Sequence, residues 1–316
     1  MYKVLLIGST GKIGKYVLNA LLRDQEFDVR ILLRKNTSNQ ISPASSFQGD
    51  INEHESLYPG IEWCDVVVNC AGVVSYKPQD RLILHQTNVD GTKNILEACT
   101  AFKKSLLHTS SAVVYGSSNE PVPHTELCNY STGYLSRYAL SKLTADQLIL
   151  QSPITSMILR PSTLISSYGS TFAKLLALYR KGGRAGLKGG ASFVDPNDIS
   201  KVYGPAILYL LKKDIKKNIF NLGGNNIPIR EVFELFLKNE PRKTCYISSN
   251  VLNGLSFIND RFLFPVFNRS FITRENYLTG SLFTYLNSDK AKQELGYSIT
   301  PFLEAAKNIL NYNESR

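Results

Sequence analysis

The opening stretch, MYKVLLIGSTGKIG, constrains the fold more than any other part of the chain. Residues 4 to 7 form a short, unbroken apolar run, as expected of a strand covered on both faces. Gly8, Gly11 and Gly14 follow directly at G-x-x-G-x-x-G spacing, and Ile13, Val17 and Leu21 then recur at helical intervals. A strand that turns through glycines into a helix brings free backbone N–H groups, and the positive end of the helix dipole, against whatever binds at the turn. This is the expected phosphate-binding turn of a dinucleotide site: one glycine makes the turn, one lets the backbone approach the pyrophosphate, and one admits close helix packing. Gly8, Thr10, Gly11, Lys12, Ile13 and Gly14 are therefore the first cofactor-binding residues expected.

The alternation continues. Short apolar runs at residues 29–33, 66–69, 106–109 and 154–159 are separated by stretches of helical periodicity, including one through Leu84, Asn88, Ile95 and Cys99 and another through Tyr138, Lys142, Ala145 and Ile149. Strand and helix in turn predict an α/β fold, a doubly wound parallel sheet of the NAD(P)-binding Rossmann kind, over residues 1–160. After Pro161 the loops lengthen, KGGRAGLKGG occupies 181–190, and helices are expected at 199–211, 230–238 and 302–310. Residues 161–316 are expected to form mainly a smaller C-terminal substrate-binding domain. Its boundary is soft, because FNLGG at 220–224 reads as a strand able to return to the Rossmann body.

Composition narrows the function. With 36 Lys and Arg against 26 Asp and Glu the net charge is +10, but the basic residues are spread thinly and no basic stripe interleaves with aromatics, so no nucleic-acid partner is expected. The longest apolar candidate, 251–267, is broken by Asn253, Asn259, Asp260 and Arg261, and no membrane span is expected. The N-terminal run holds a charge and a glycine turn, unlike a signal peptide. Cys64, Cys70, Cys99, Cys128 and Cys245 are odd in number and lack C-x-x-C spacing, which fits a reducing cytoplasm. The four histidines lack metal-ligand spacing, and no metal is assigned.

The second strand ends VRILLRKNTS. An acidic residue there accepts hydrogen bonds from the adenosine ribose; Arg34 and Lys35 stand in its place, and Arg34 suits a 2′-phosphate in fork geometry. NADP(H) is therefore the preferred cofactor expected, with NAD(H) as the alternative.

A set of motifs spans the chain: GSTGKIG at 8–14, GDI at 49–51, NCAG at 69–72, TNVDGT at 87–92, TSSAVVYG at 109–116, YALSK at 138–142 and LRPS at 159–162. With them the chain resembles the extended short-chain dehydrogenase/reductases, which include NAD-dependent epimerase/dehydratases, dihydroflavonol reductases and 3β-hydroxysteroid dehydrogenases. The resemblance implies that Asp50 and Ile51 contact the adenine, that Ala71, Gly72 and Val73 line the cofactor, and that Pro161 and Thr163 sit near the nicotinamide. It implies a catalytic set of Ser111, Tyr138 and Lys142, with Asn88 ordering a water or a backbone bend. The segments FVDPNDIS, FNLGG and SDKAKQELGYSITPFLEAAKNIL resemble the dihydroflavonol-reductase-like branch, except that Pro196 and Asn197 replace its valine and acid.

The chemistry also follows from spacing. Tyrosine and lysine four apart on a helix share a face, and a nearby ammonium favours phenolate, so Lys142, together with the oxidised nicotinamide ring, is expected to supply a field that lowers the Tyr138 pKa. Tyr138 would exchange a proton with the substrate oxygen, Ser111 would bind that oxygen, and Lys142 would also hold the nicotinamide ribose. The expected activity is NADP-dependent reduction of a ketone or aldehyde to an alcohol, or the reverse. The rival is a nucleotide-sugar epimerase or dehydratase with a tightly bound cofactor. Arg34 argues against it, as does the lack of an obvious arginine pair for a diphosphate, with Arg180 and Arg184 the nearest candidates. A non-catalytic NADP sensor is the minor alternative, and a homodimer is left open. Phe257, Phe262, Phe264, Phe267 and Tyr277 are candidates for an apolar substrate wall.

Overall fold

The computed structural model describes residues 1–34, 44–129, 135–167, 170–212, 216–263, 277 and 280–311. Six strands lie along the first half, with helices described between all of them but β2 and β3: β1 (Tyr2–Ile7), β2 (Phe27–Leu33), β3 (Ser46–Gln48), β4 (Val66–Asn69), β5 (Ser105–Thr109) and β6 (Ser156–Pro161). Seven follow: β7 (Thr163–Leu164), β8 (Gly183–Ala185), β9 (Gly190–Val194), β10 (Lys217–Leu222), β11 (Asn225–Pro228), β12 (Cys245–Ile247) and β13 (Phe283–Thr284). The main sheet has seven strands in the order β10-β6-β5-β4-β1-β2-β3, every neighbouring pair parallel. This is the doubly wound Rossmann architecture that the alternation predicts.

The apolar runs are continuous because each strand feeds two cores. Val4 and Leu6 face one core while Leu5 and Ile7 face the other. Helices α1 (Gly14–Leu21), α7 (Pro196–Lys201) and α8 (Tyr203–Lys212) cover the first face. The second is covered by α2 (Tyr58–Trp63), α4 (Gly91–Ala101) and α5 (Arg137–Gln151), with the short α3 (Arg81–His85) leading into α4. Each fully buried aliphatic side chain of this kind contributes roughly 1.5–3 kcal/mol.

The strand order reverses at β1, which pairs with β2 on one side and β4 on the other. Ile7 lies opposite both Leu32 and Asn69, so the C-terminal ends of these strands open a cleft at the point where ligands bind in folds of this type.

The second half of the chain is shared between two bodies. β10 joins the main sheet beside β6, in register from Lys217 opposite Ser156 to Leu222 opposite Pro161, and α11 (Asp289–Leu295) packs on the same sheet. The remainder builds a small sheet of β11, β9, β13 and β7, flanked by α6 (Thr171–Arg180), α9 (Ile229–Asn239) and α12 (Phe302–Asn311), with α10 (Ser249–Ile258) alongside. Phe172 is the hub of its core, in edge-on contact with Phe193, Phe236 and Phe302 at centroid distances of 5.8 to 6.4 Å. Pro196 occupies the first turn of α7, where its missing N–H leaves no gap, and Asp195 caps that helix by accepting from the Asn197 N–H at 2.7 Å. No helix among the described residues is long and apolar enough to cross a membrane.

Candidate active site

The glycine loop is shaped by contact with the end of β4. Gly8 has φ +84°, and a Cβ on it would fall 2.4 Å from the Ala71 nitrogen. A Cβ on Gly14 would fall 2.0 Å from the Gly8 carbonyl oxygen, which instead accepts from the Gly11 N–H at 3.0 Å. Thr10 and Lys12 are exposed on this loop, and Ile13 packs partly against the main core. Two buried hydroxyls at the cleft, Ser9 after β1 and Ser162 after β6, have no hydrogen-bond partner among the described residues. A loop closed to side chains, an open helix N-terminus and unsatisfied hydroxyls together fit a dinucleotide laid along this edge.

Arg34 follows β2 directly and is exposed beside the cleft; Lys35 lies outside the described residues. Asp50 is turned toward its own loop: its backbone N–H donates to Ser56 Oγ at 2.9 Å, and its carboxylate accepts from the Asn52 N–H at 2.9 Å. Ile51 lies against Gly91, and its carbonyl accepts from Asn94 Nδ2 at 2.8 Å. Pro161 ends β6 in full burial, and Thr163 begins β7, half-buried opposite Phe193.

Asn88 lies in a π-helical turn, Gln86–Asp90, between α3 and α4. Its Oδ1 accepts from the Val73 N–H at 2.8 Å, while its Nδ2 donates to the Val73 carbonyl at 2.9 Å and to Ser141 Oγ at 2.9 Å. It therefore pins the strand-end segment of Ala71, Gly72 and Val73 to α5, holding a backbone bend and not a proton.

Ser111, Tyr138 and Lys142 meet at the C-terminal edge of β5. Ser111 caps the turn Ala112–Tyr115 by accepting from the Val113 N–H, and its hydroxyl is close enough to the Tyr138 phenol to favour the phenolate. Tyr138 stands in the first turn of α5, whose start is fixed by Ser136 Oγ accepting from the Ala139 N–H at 2.9 Å. Lys142, one turn on, reaches back to β5, where its Nζ donates to the Thr109 carbonyl at 2.8 Å. Burial pushes the Tyr138 phenol up to about 12; the Ser111 hydroxyl opposes this and the Asp146 charge adds to it. Burial likewise pulls Lys142 down to about 8, against the opposing charges of Asp146 and Cys70. Within the chain itself burial sets the direction and raises the phenol. Desolvation dominates, and the Lys142 amine is engaged with the Thr109 carbonyl.

Behind these residues lies a network that spacing alone did not single out. Arg160 on β6 pairs with Asp146 on α5 through two contacts, NH2 at 2.9 Å and Nε at 3.0 Å from Oδ2. Arg160 NH1 also donates to the Tyr115 hydroxyl at 2.7 Å, which in turn donates to Asn221 Oδ1 on β10 at 2.9 Å. The pair ties the helix of Tyr138 to the turn that follows Ser111. His108 and Asn69 were missed as well; the available signal was a polar residue inside an otherwise apolar strand run.

On the smaller body, Arg184, Lys188 and Arg230 line a cavity of about 570 Å³, with Glu234 and the rings of Phe233, Tyr246 and Phe283. Phe283 exchanges backbone hydrogen bonds of 2.8 and 2.9 Å with Ser118, on the loop that continues from Ser111. Arg184 thus has an arginine partner, Arg230 and not Arg180, which long-range packing supplies. Of the expected aromatic wall, Phe257 is exposed, and Tyr277 packs on the small core with its hydroxyl 3.0 Å from Ser249 Oγ. Phe264, Phe267 and the side chain of Phe262 lie outside the described residues.

Such a fold and site define a dinucleotide-dependent enzyme of the extended short-chain dehydrogenase/reductase type. Residues 4–189 match the NAD dependent epimerase/dehydratase family, and the chain belongs to it. It is similar to a sterol-4-alpha-carboxylate 3-dehydrogenase, decarboxylating, from Dictyostelium discoideum, at 23% identity over 99% of this chain and 98% of that protein. A 4-hydroxy-2-methyl-3-oxo-4-farnesyl-3,4-dihydroquinoline-1-oxide ketoreductase from Stigmatella aurantiaca is 24% identical over 94% of this chain and 92% of its own. Among solved structures, UDP-glucuronic acid 4-epimerase from Bacillus cereus, in complex with UDP-glucuronic acid and NAD, superposes with a TM-score of 0.74 at 20% identity, covering 99% of each chain.

Proposed function

We propose that the chain is an NADP-dependent oxidoreductase that reduces a ketone or aldehyde to an alcohol, or runs the reverse, with Tyr138 as acid and base. The observation that carries this is the placing of Tyr138 and Lys142 one turn apart on α5, with the Lys142 Nζ held 2.8 Å from the Thr109 carbonyl at the end of β5, two residues before Ser111. A phenol pushed up to about 12 keeps its proton at neutral pH, the state required to protonate an alkoxide as it forms. With substrate bound, the Ser111 hydroxyl would turn its single O–H from the phenol to the substrate oxygen. Lys142 holds the nicotinamide ribose, and Asn88 keeps Val73 and its neighbours in place against the cofactor. Gly8, Thr10, Gly11, Lys12, Ile13 and Gly14 take the pyrophosphate, Asp50 and Ile51 the adenine, and Pro161 and Thr163 the nicotinamide end, whose role is to supply or accept hydride. Arg34 supports the preference for NADP, and the sterol dehydrogenase and ketoreductase relatives support carbonyl–alcohol chemistry. The smaller body would take the substrate.

The arginines of the cavity favour a second reading, a nucleotide-sugar epimerase, because Arg184 and Arg230 together suit a diphosphate. One experiment separates the two. Purified protein is given NADPH and a panel of ketones, aldehydes and sterol ketones, and absorbance is followed at the reduced-cofactor band. NADPH is expected to be consumed one for one with alcohol. Tightly retained cofactor, no net oxidation and interconversion of a nucleotide sugar would replace this reading with the second.

A further inference from the structure

Lys142 ends on a chain of hydrogen bonds that the proposed chemistry does not use. The Ala71 N–H donates to Asn69 Oδ1 at 3.0 Å, Asn69 Nδ2 lies 3.2 Å from His108 Nδ1, and His108 Nε2 lies 3.2 Å from Lys142 Nζ. The same Nζ donates to the Thr109 carbonyl at 2.8 Å. Asn69 and His108 are almost wholly buried, so water offers the ring no alternative partner.

The backbone sets the direction of every bond in this chain. An amide N–H only donates, so the Asn69 oxygen faces Ala71 and its NH2, also only a donor, faces the imidazole. His108 Nδ1 must then accept. A neutral ring with an accepting Nδ1 carries its proton on Nε2, and that N–H must donate to Lys142. An uncharged amine accepts it with its lone pair; an ammonium, which only donates, does not. When Lys142 is charged, its N–H takes the Nε2 lone pair, the ring proton moves to Nδ1, and two donors confront each other at Asn69. Turning the Asn69 amide over only moves that clash to the Ala71 N–H, the wall against which Gly8 is seated. Charging the ring offers no relief, because burial first and Lys142 second hold His108 well below the usual imidazole range.

We infer that Asn69 and His108 are positioning residues that set when Lys142 is charged: their hydrogen-bond direction, anchored by the Ala71 amide, favours the uncharged amine and reverses when Lys142 takes a proton. Other groups facing Lys142 act on the same balance. Asp146 and Tyr138 lie on its own helix, Cys70 at the end of β4 and Tyr203 on α8 behind it, and Arg160 on β6 offsets Asp146. Asp146 and Cys70 favour the ammonium, and burial outweighs them. The chain adds a directional preference that burial alone lacks. This inference rests on the hydrogen-bond geometry and on no choice of substrate.

The test is imidazole and lysine 15N NMR on the full chain. At about pH 9.5, where an uncharged Lys142 predominates, the His108 proton is expected on Nε2; at about pH 6.5 it is expected on Nδ1, with the exchange tracking the Lys142 titration. A ring that keeps one tautomer across that range overturns the inference. Asn69→Asp supplies acceptors to both Ala71 and the ring, and Lys142 is expected to bind its proton roughly tenfold more tightly. Added charge alone would act in the same direction, so Asn69→Asp is repeated with His108→Phe. Loss of most of the increment in the double variant supports the chain, and full retention overturns it. Should the variants fail to fold, the wild-type tautomers still decide.

Discussion

The two bodies of the chain differ in what they bury. Beneath Tyr138 the parallel-sheet body encloses Asn69, Asn88, His108, Lys142, Asp146 and Arg160, each 3% exposed or less. The smaller body encloses an apolar core around Phe172, Phe193, Val232, Phe233 and Phe236 in which the buried polar groups, such as Ser192, Ser256 and Asn259, are uncharged, and it leaves Arg184, Lys188 and Arg230 on the wall of an open cavity. Buried polar groups fix one geometry and tolerate little change, because each loses water and depends on its partner. Cations at a cavity mouth choose among ligands at little expense to the fold. The first body holds its polar atoms in fixed partnerships, and the second keeps its cations at the surface of a cavity.

The largest effect should come from the residue proposed to transfer the proton. Tyr138→Phe keeps the ring and its edge-on contact with Tyr76, and removes only the proton-transfer group. Turnover should fall by about a hundredfold to ten-thousandfold, with dinucleotide affinity by fluorescence titration changed by less than about twofold. Retained turnover would detach the chemistry from α5 altogether.

Next in size is stability. Arg160→Met leaves Asp146 buried without its partner and should cost about 3–5 kcal/mol in denaturant unfolding. A volume-conserving change in the smaller core, such as Leu176→Met, should cost less than about 1.5 kcal/mol. Because burial raises the Asp146 pKa above its unfolded value, the Arg160→Met deficit should shrink as pH falls through the raised folded value and the carboxyl neutralises. Equal losses in the two bodies, or a deficit flat with pH, would erase the distinction between them.

The cleft itself is expected to respond less. Arg34→Asp should weaken NADPH binding by about 1–3 kcal/mol, since a charge-assisted contact is exchanged for repulsion, and should affect NADH far less. Calorimetric titration of wild-type protein giving equal affinities for both cofactors would remove Arg34 as the selector.

The two bodies also differed in how much of them could be read from sequence. β1, β2, β4, β5 and β6 stand within one or two residues of their apolar runs because burial on both faces demands unbroken hydrophobicity, whereas the three-residue edge strand β3 shows no run; the Gly8–Gly14 turn carries its own signature. Ser111, Tyr138 and Lys142 were legible because one strand end and one helical spacing hold them. β7 and β13, at two residues each, are too short to show any period. His108 carries no spacing signal in the sequence, and only packing places Asn69 and Lys142 at its two nitrogens. Arg184 and Arg230 lie 46 positions apart and converge only because β8 pairs with β12 and α9 packs against β8. Pairings of that range leave no local trace.

That convergence gives the smallest and most discriminating prediction. Arg184 and Arg230 are solvent-facing at the cavity, and exposed charge pairs are worth roughly 0.2–1 kcal/mol each. Replacing both with glutamine should raise KM for an anionic substrate by about threefold to thirtyfold at low salt while leaving kcat within about twofold, because the contacts would be equal in ground and transition states. The effect should shrink as salt is added, since the charges are screened. A neutral carbonyl substrate of the same shape should show no change in KM. If the double variant instead lowered kcat with KM unaltered, the cavity would act on the catalytic turn through the β13 contact at Ser118, and selection by charge would no longer separate the smaller body from the sheet that carries Tyr138.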